Sequence, residues 1–549
     1  MKLLNKIFSI AVAGIAVVGC NDLDTAPMGS TITSDQREEV LGGNPAMAEA
    51  GVNTIASNFK QFGKVYADEH TDFGYPSIML ALDVRGADMV SAYTGYNRYY
   101  AQVAYSDITA GSSITNIIWY TMYKQIYACN SLISSLDKES TDKTNMFYLG
   151  QAYAVRAFDY HVLAQLYQHT YLGNETKPCV PIITEQNEAE AAANGMPRAS
   201  VEDVYTQILC DIDTAIELLE NSGRLGTTSR NDKKFVTAST AHGLRARVYM
   251  CMGRWDEAAA DAQYAITNSK ATPYSFDELS APAFNSGSEH SWMWSVNIEP
   301  SDRCVTTGIC NFPSMMGSLC YGYASVGGWR RVNQNLYRTL SKTDVRSGWW
   351  IDESGNGSYA GIASLPVSSS LSKQSWYKGQ MQCDEYLYYL SGGSSSYLQV
   401  KYAPYENLMY QSNNACDVPL MRVEEMYHII AEAQAMGGNP SLGAQTLTNF
   451  VQTYRDPDYV CTEASAEGVQ NEVYRQRRIE FWGEGLGWYD MMRLKRGVDR
   501  RGAGFAAAQT YNIPAGDPCL IFQIPQGEQN GNPLLGEINP AATRPSAVK

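Results

Sequence analysis

Residues 237–266 read TASTAHGLRARVYMCMGRWDEAAADAQYAI, and the spacing of small and large side chains in this stretch decides the fold. Small residues allow two helices to approach closely where they cross, and large side chains fill the groove between them. A glycine between two helical patterns is typical of a tight turn. The stretch therefore predicts two antiparallel helices, one over about 236–252 and one starting after Gly253. The positions that carry the pattern are Ala246, Tyr249, Gly253, Trp255, Ala258 and Ala265.

Helical spacing recurs on both sides of this pair. Apolar side chains return every three or four residues from Ile114 to Leu136, and a second helix over 144–167 is rich in alanine and aromatic residues. A third helix is predicted over about 201–220, and a glycine-broken pair over about 422–454. Several helix pairs of like design predict a mostly α protein built on a tetratricopeptide-type scaffold.

Residues 271–420 have a different composition and predict a different structure. They are rich in Ser, Gly, Tyr and Trp and lack helical periodicity, which is typical of short strands and long loops. We therefore predict one body over 20–549, in which an irregular ligand-binding lobe over about 271–420 is inserted into the helical scaffold. The scaffold itself covers about 30–270 and 420–497, and an irregular tail follows over 498–549.

The N-terminus predicts a lipoprotein signal. Lys2 and Lys6 precede a short apolar run over 7–18, and Cys20 follows Gly19. Cleavage before Cys20, with lipid on its sulfur, would leave residues 1–19 as the signal peptide and tether the mature protein to a membrane. The alternative is an ordinary cleaved signal followed by a chance cysteine.

Charge and composition exclude some partners. The formal net charge is −15, which argues against binding nucleic acid, because that requires a basic face. The chain has 37 tyrosines and 10 tryptophans but only 14 phenylalanines. Tyr and Trp combine a flat apolar face with a polar tip, so this excess favours wet binding surfaces.

The sequence gives little sign of catalysis or of a metal site. It has neither of the motifs H-E-x-x-H and G-x-S-x-G, and we predict no cofactor, no metal and no enzymatic activity. Glu424, His428 and Glu432 lie four residues apart on one helix face, where a polar face is favoured over a metal site. The cluster Cys304, Cys310 and Cys320 does not have zinc-ligand spacing, which leaves one disulfide or buried free thiols. A glycoside hydrolase stays as the less favoured alternative, since paired carboxylates need not be close in sequence.

Aromatic clusters in loops are the candidate ligand-binding residues. Flat rings stack on the C–H faces of sugars, and amide or charged groups satisfy the surrounding hydroxyls. The competing interpretation is that these rings fill the seams of a large irregular lobe. The glycan-binding candidates are Tyr93, Tyr96, Asn97, Arg98, Tyr99, Trp292, Trp294, Tyr321, Tyr323, Trp329 and Arg330.

Seven segments spread over nearly the whole chain form a recognisable series. They are CNDLDTAP (20–27), IIWYTMYKQIYACNSLI (117–133), GQAYAVRAFDYHVLAQLYQ (150–168), TASTAHGLRARVYMCMGRWDEAA (237–259), VPLMRVEEMYHIIAEA (418–433), RRIEFWGEGLGWYDMMRLKR (477–496) and IPQGEQNGNP (524–533). Each segment is degenerate, but in their number and order they resemble the SusD/RagB-like nutrient-binding lipoproteins of the bacterial outer membrane.

The resemblance implies a function and a place in the cell. Members of this family capture an oligosaccharide or polysaccharide at the cell surface and act as a lid on a SusC-like TonB-dependent outer-membrane transporter. A lipid anchor in the outer membrane, facing the cell exterior, is implied as well. Capture of a peptide is the alternative within the family, and a purely structural adaptor is a third hypothesis.

The resemblance also implies that residues 477–496 form a structural joint between helices. The residue types agree with this expectation, because arginine forks can bind Glu480, Glu484 or Asp490 bidentately while aromatic rings fill the space around them. Gly483, Gly485 and Gly487 would allow the tight turn.

Overall fold

The structure is a computed structural model that describes residues 45–65, 70–91, 95–353, 365–372 and 395–548. Helices make up most of its regular structure. In chain order they are α1 (Pro45–Asn58), α2 (Tyr75–Arg85), α3 (Tyr100–Val103), α4 (Ser113–Ser135), α5 (Lys143–Tyr167), α6 (Glu188–Asn194), α7 (Val201–Ser222), α8 (Ala238–Met252), α9 (Trp255–Asn268), α10 (Arg303–Thr306), α11 (Phe312–Met316), α12 (Tyr323–Val326), α13 (Gln334–Tyr337), α14 (Ser369–Ser372), α15 (Val423–Met436), α16 (Pro440–Tyr454), α17 (Ala466–Glu480), α18 (Gly487–Arg493) and α19 (Gln526–Gly531).

The strands are short and pair in twos. β1 (Met89–Ser91) pairs with β3 (Arg330–Val332), β2 (Trp292–Val296) with β4 (Val418–Arg422), and β5 (Val498–Asp499) with β6 (Asn512–Ile513), all antiparallel. Short 3₁₀ turns lie at Glu278–Ser280, Val345–Trp349, Tyr405–Asn407, Ala507–Gln509 and Pro518–Leu520.

The long helices pack in sequence as an array of pairs. α1 packs on α4, α4 on α5, α5 on α7, α7 on α8, and α8 on α9. α9 then packs directly on α15, which in turn contacts α16 and α17, so the array continues across the residues between α9 and β4. This arrangement confirms the predicted mostly α, tetratricopeptide-type scaffold with an inserted irregular lobe.

Caps and close approaches explain why these helices begin, end and pair where they do. The Ser200 hydroxyl accepts from the Asp203 amide in a capping box that starts α7, and the Thr237 hydroxyl caps α8 in the same way. α8 ends at Gly253, whose φ of 71° is the left-handed conformation that glycine adopts without strain. The helix pair predicted from residues 237–266 is therefore confirmed, with its turn at the predicted glycine.

The segment that joins α17 to α18 is a buried ion-pair cluster. The Glu480 carboxylate lies 2.8 Å from Arg455 Nε, 3.3 Å from Arg346 Nη1 and 3.2 Å from Arg422 Nη1, and all four side chains are inaccessible to solvent. Glu484 accepts from Arg422 and from Lys401 Nζ, the latter at 2.6 Å. The three arginine partners and Lys401 come from outside the segment, which corrects the idea that its own arginines bind these two glutamates.

Within the segment, one arginine does bind the predicted partner. Arg477 Nε lies 2.7 Å from Asp490 Oδ2, and Arg493 approaches the other oxygen of the same carboxylate at 2.9 Å. Gly483 and Gly485 have φ of 81° and 75°, which makes the turn between the two helices. The segment is thus a structural joint, held by charge-assisted hydrogen bonds in a dry environment.

Acidic and thiol clusters in the described residues have structural partners. Glu424 is ion-paired with Arg422 and Arg455, and Glu432 with Arg493, so both carboxylates are neutralised by arginines. Cys304 and Cys320 are buried free thiols, and the buried Cys310 Sγ lies 3.2 Å from His70 Nδ1. Neither a metal-binding group of three His, Cys, Asp or Glu side chains nor a helix long and apolar enough to cross a membrane occurs within the described ranges.

Candidate functional site

The pairing of β1 with β3 brings two distant aromatic clusters together. Ser91 lies opposite Arg330 in this two-stranded sheet, so the loop after β1 meets the loop before β3. The first loop carries Tyr96 and Arg98, and the second carries Tyr323 and Trp329. Residues more than 200 positions apart in the chain thus form one surface, which we call the aromatic patch. The patch consists of Tyr96, Arg98, Tyr321, Tyr323 and Trp329.

The outer layer of the patch is built around Tyr323. The Tyr96 ring, with 51% of its surface exposed, lies over it at a centroid distance of 6.1 Å. The guanidinium of the exposed Arg98 stacks on the Tyr323 ring, with its Cζ 4.7 Å from the ring centroid. Its Nη2 also donates to the Tyr323 hydroxyl at 2.9 Å. A cation over an aromatic face holds both groups in place. The patch therefore presents a ring and a charged donor side by side.

Two glycines set the position of the Tyr96 ring. A Cβ atom built on Gly327 would lie 2.6 Å from Tyr96 Cδ2, and one on Gly328 would lie 2.9 Å from the Tyr96 carbonyl oxygen. Contacts this short do not occur between real side chains, so only glycine allows the two loops to meet here. Gly327 also has a φ of 158°. The close approach lets the Tyr96 ring lie flat against the loop that precedes β3.

A buried layer supports the patch from below. Arg330 is 1% exposed, and its Nη1 donates to Asn97 Oδ1 at 3.0 Å while its Nε donates to the Met315 carbonyl at 3.1 Å. Tyr99 is fully buried, and its hydroxyl lies 2.9 Å from Ser77 Oγ. Burial lowers the pKa of Arg330 to about 10 and raises that of the Tyr99 phenol. These three predicted candidates hold the loops together beneath the surface.

Trp329 and Tyr321 form the half-buried margin of the patch. Arg331 stacks on Trp329, with its Cζ 5.1 Å from the ring centroid. The Tyr321 ring packs edge-on against Tyr410 at 5.1 Å, and the Tyr321 carbonyl accepts from Asn414 Nδ2 at 2.7 Å. Both side chains are partly exposed.

Two other candidates do not belong to this surface. Trp292 and Trp294 are 0% and 1% exposed, so they lie in the core, which corrects the expectation that they stand on exposed loops. The Trp294 ring packs edge-on against Phe59 and Phe158, each at 5.2 Å. The reason is that β2 is buried at all five positions, between β4 and the helical scaffold. Tyr93 lies outside the described residues.

Sequence reasoning missed one neighbour of the patch. His70 lies beneath Tyr323, with its ring 5.4 Å away and its Nδ1 3.3 Å from the Tyr323 hydroxyl and 3.2 Å from Cys310 Sγ. A lone histidine in an acidic stretch gives no sequence signal for this position. Its contact with Tyr323 makes it part of the support of the patch.

Two family models match most of the described chain. Residues 74–250 match a family model described as "Starch-binding associating with outer membrane", and residues 325–540 match the model of the SusD family. A SusD-like protein of Bacteroides ovatus is 21% identical over 89% of this chain and 82% of its own length. SusD-like protein P2 of Formosa agariphila is 23% identical over 92% of this chain and 95% of its own length.

Solved structures share the fold at low sequence identity. A SusD-like carbohydrate binding protein from Bacteroides vulgatus superposes with a TM-score of 0.70 at 20% identity, covering 90% of this chain and 98% of the other. Surface glycan-binding protein A of Bacteroides thetaiotaomicron, solved with laminarihexaose, gives a TM-score of 0.63 at 15% identity over 90% of this chain and 99% of that one. These likenesses establish the architecture.

Proposed function

The chain belongs to the SusD family, and on this premise we propose that it is a surface glycan-binding lipoprotein that captures an oligosaccharide without altering it. The family description includes association with the outer membrane. Relatives of the same fold include a protein solved with a bound glucan, laminarihexaose. The patch supplies the residue types that such a ligand requires.

The observation that carries this proposal is the meeting of an exposed ring, Tyr96, and a charged donor, Arg98, around Tyr323. Tyr96 supplies a face for a sugar ring, and Trp329 supplies a second one. Arg98 is fixed on Tyr323 by its stacking contact and hydrogen bond, so its remaining N–H groups can donate to sugar hydroxyls at little entropic cost. Stacking plus a small number of fixed polar groups is the usual composition of a sugar site.

The patch favours capture over chemistry. Its outer layer consists of aromatic rings and an arginine, which bind sugars but neither attack nor protonate a glycosidic bond. Affinity gel electrophoresis against a panel of neutral and acidic polysaccharides tests binding. Incubation of the purified protein with every retarding polysaccharide, followed by an assay for new reducing ends, tests for hydrolysis. Retardation without new reducing ends is expected, and failure of the whole panel would contradict the proposal.

Delivery to a transporter is the second part of the proposal. We infer that the protein docks on a SusC-like TonB-dependent outer-membrane transporter and acts as its lid, with Cys20 lipidated and the body facing the cell exterior. Support comes from family membership and from the sequence of the N-terminus, which lies outside the described residues. Co-purification of a barrel transporter with the tagged protein from detergent-solubilised outer membranes is the measurement, and recovery of the tagged protein alone would count against docking.

A further inference from the structure

A second cleft lies beside the joint. It has a volume of about 370 Å³ and opens between the segment leading from α2 to β1 and the two helices α17 and α18. Apolar side chains, among them Leu82, Met89 and Met491, form part of its wall. The remaining wall carries an unusual concentration of nitrogen donors.

Three buried N–H donors on residues that line this cleft have no acceptor within the described part of the chain. They are Nη1 of Arg477, Nε1 of Trp488 and Nε of Arg496. Arg477 and Trp488 are only 5% and 2% exposed, so these donors are not satisfied by bulk solvent. Buried donors in folded proteins nearly always have a partner, and a group that lacks one points to a bound water, ion or ligand. All three groups donate, so each of them needs an acceptor.

The charges around the cleft favour an anion. Arg477 is neutralised by Asp490 and Glu425, and Arg478 by Asp88 at 2.5 Å. Arg496 has only a neutral amide partner, Asn471, and the face of the Tyr474 ring, at 4.8 Å. Among the described residues, no carboxylate lies within ion-pair distance of its guanidinium. Arg496 therefore brings to the cleft a positive charge that no described carboxylate balances at ion-pair distance.

One acidic side chain in the wall does not oppose this charge. Asp83 accepts from the Gly485 amide at 3.0 Å, and burial raises the pKa of its carboxyl to about 8. At neutral pH it is mostly protonated and uncharged. Gly487, at the start of α18, would place an added Cβ in open space, so the cleft is not blocked at this point.

From these observations we propose that the cleft binds a small anionic molecule through an oxyanion head, which accepts from Arg477, Trp488 and Arg496. A carboxylate or sulfate oxygen group supplies several acceptors at once and a charge that matches Arg496. The apolar wall suits the organic remainder of a small carboxylic acid. Because the three donors belong to α17, α18 and the turn after α18, the anion ties these elements together. This proposal is independent of glycan capture.

Isothermal titration calorimetry of the full mature protein tests the proposal, with sodium benzoate and sodium sulfate as probes at constant ionic strength set by sodium chloride. We expect saturable binding of at least one probe with a stoichiometry near one. Tighter binding of benzoate would identify an organic acid site, and tighter binding of sulfate an inorganic oxyanion site. Absence of saturable heat for both probes would overturn the proposal.

A variant and a matched control locate the binding. Arg496→Gln removes the unbalanced charge and the Nε donor, and it should weaken probe binding by about tenfold, the usual effect of losing a hydrogen bond to a charged group. Arg254→Gln removes an exposed arginine at the start of α9, where Glu257 is its partner, and should bind as the parent does. Equal affinity of Arg496→Gln and the parent would overturn the proposal.

A second variant tests the indole donor. Trp488→Phe removes the N–H and keeps an aromatic ring in the core, and it should also weaken binding, provided that circular dichroism shows a folded protein. If this variant does not fold, the arginine comparison still decides, because Arg496 is half-buried and lies outside the ion-pair cluster. Bromine anomalous scattering from a crystal soaked in 4-bromobenzoate should place the probe in the cleft, and a peak elsewhere alone would count against the assignment.

Discussion

Arg330 donates to Asn97 across 233 positions of sequence, with Nη1 3.0 Å from Oδ1, and this buried bond joins the two loops that form the aromatic patch. The guanidinium also donates to the Met315 carbonyl. Neither acceptor can turn to water, since Asn97 is 3% exposed. The bond therefore fixes where the rings above it lie.

Arg330→Met should lower both stability and glycan binding. The substitution keeps an apolar stem of similar length, leaves the buried Met315 carbonyl without its arginine donor and removes one of the donors to Asn97 Oδ1, which still accepts from the Tyr99 amide, so the free energy of unfolding should fall by about 2 kcal/mol. Urea unfolding followed by tryptophan fluorescence measures this loss. Retention of full stability would mean that the loops are held without this arginine.

Tyr96→Ala and Trp329→Ala should each weaken glycan binding without changing the melting temperature. Loss of one stacked ring costs about 1 kcal/mol, which raises Kd about fivefold. Affinity electrophoresis on a polysaccharide that retards the parent gives the comparison. Tyr127→Ala on α4 is the matched control, because that ring is 49% exposed, close to the 51% of Tyr96, and lies outside the patch. Equal retardation of all three variants and the parent would show that other residues bind the ligand.

Glu480→Gln should strongly destabilise the fold. The substitution removes the charge that Arg346, Arg422 and Arg455 share in a dry environment, and breaking such a buried pair costs about 3–5 kcal/mol. The free energy of unfolding in urea is the quantity to compare. Glu353→Gln removes an exposed partner of Arg338, whose loss should leave the unfolding curve unchanged because water screens that pair. A stable Glu480→Gln protein would contradict the structural role of the joint.

Asp83→Asn should change how stability depends on pH. Burial raises the pKa of Asp83 from 3.8 to about 8, so the folded state keeps a proton that the unfolded state releases above pH 4. The stability that this proton contributes is complete below pH 4 and is lost as pH rises towards 8, by at most about 1.4 kcal/mol per pH unit. The neutral amide has no such dependence, so the variant should gain on the parent between pH 5 and pH 8. Urea unfolding at four pH values measures this gain, and parallel curves would rule out a buried neutral carboxyl.

Cys20→Ala should release the protein from the membrane. The predicted lipid is attached to the Cys20 sulfur, and alanine cannot accept it. Fractionation of cells that express the parent or the variant, followed by immunoblotting, gives the distribution. Co-purifying transporter should be monitored in the same fractions, because docking alone could retain the variant. Membrane retention of the variant in cells without the transporter would contradict lipidation at this residue.

The scaffold follows from local sequence, and that is why it could be predicted. Gly253 needs a left-handed backbone, and the small residues around it allow two helices to cross, so both signals lie within one short stretch. The joint shows where local reasoning ends. Its glutamates and glycines are visible in residues 477–496, but the arginines that bind Glu480 come from positions 346, 422 and 455.

The site is less predictable because burial depends on distant contacts. Trp294 and Tyr96 are both aromatic residues in segments without helical periodicity, yet one lies in the core and the other on the surface. Which of the two rings is buried depends on the pairing of β1 with β3, three residues each, and of β2 with β4, five residues each. Strands this short carry too little alternation to reveal their partner or their buried face.

Because Gly327 and Gly328 have no side chains, substitutions there give the protein a simple route to a change of nutrient ligand. A methyl group on Gly327 would collide with the Tyr96 ring, and one on Gly328 would meet the carbonyl oxygens of Tyr96 and Tyr323, so either substitution would displace Tyr96 relative to the loop before β3. Under the proposed function, single substitutions at these two glycines change the shape that the patch offers to a ligand. The helical scaffold, with its buried ion-pair cluster, would remain unchanged in descendants of this protein.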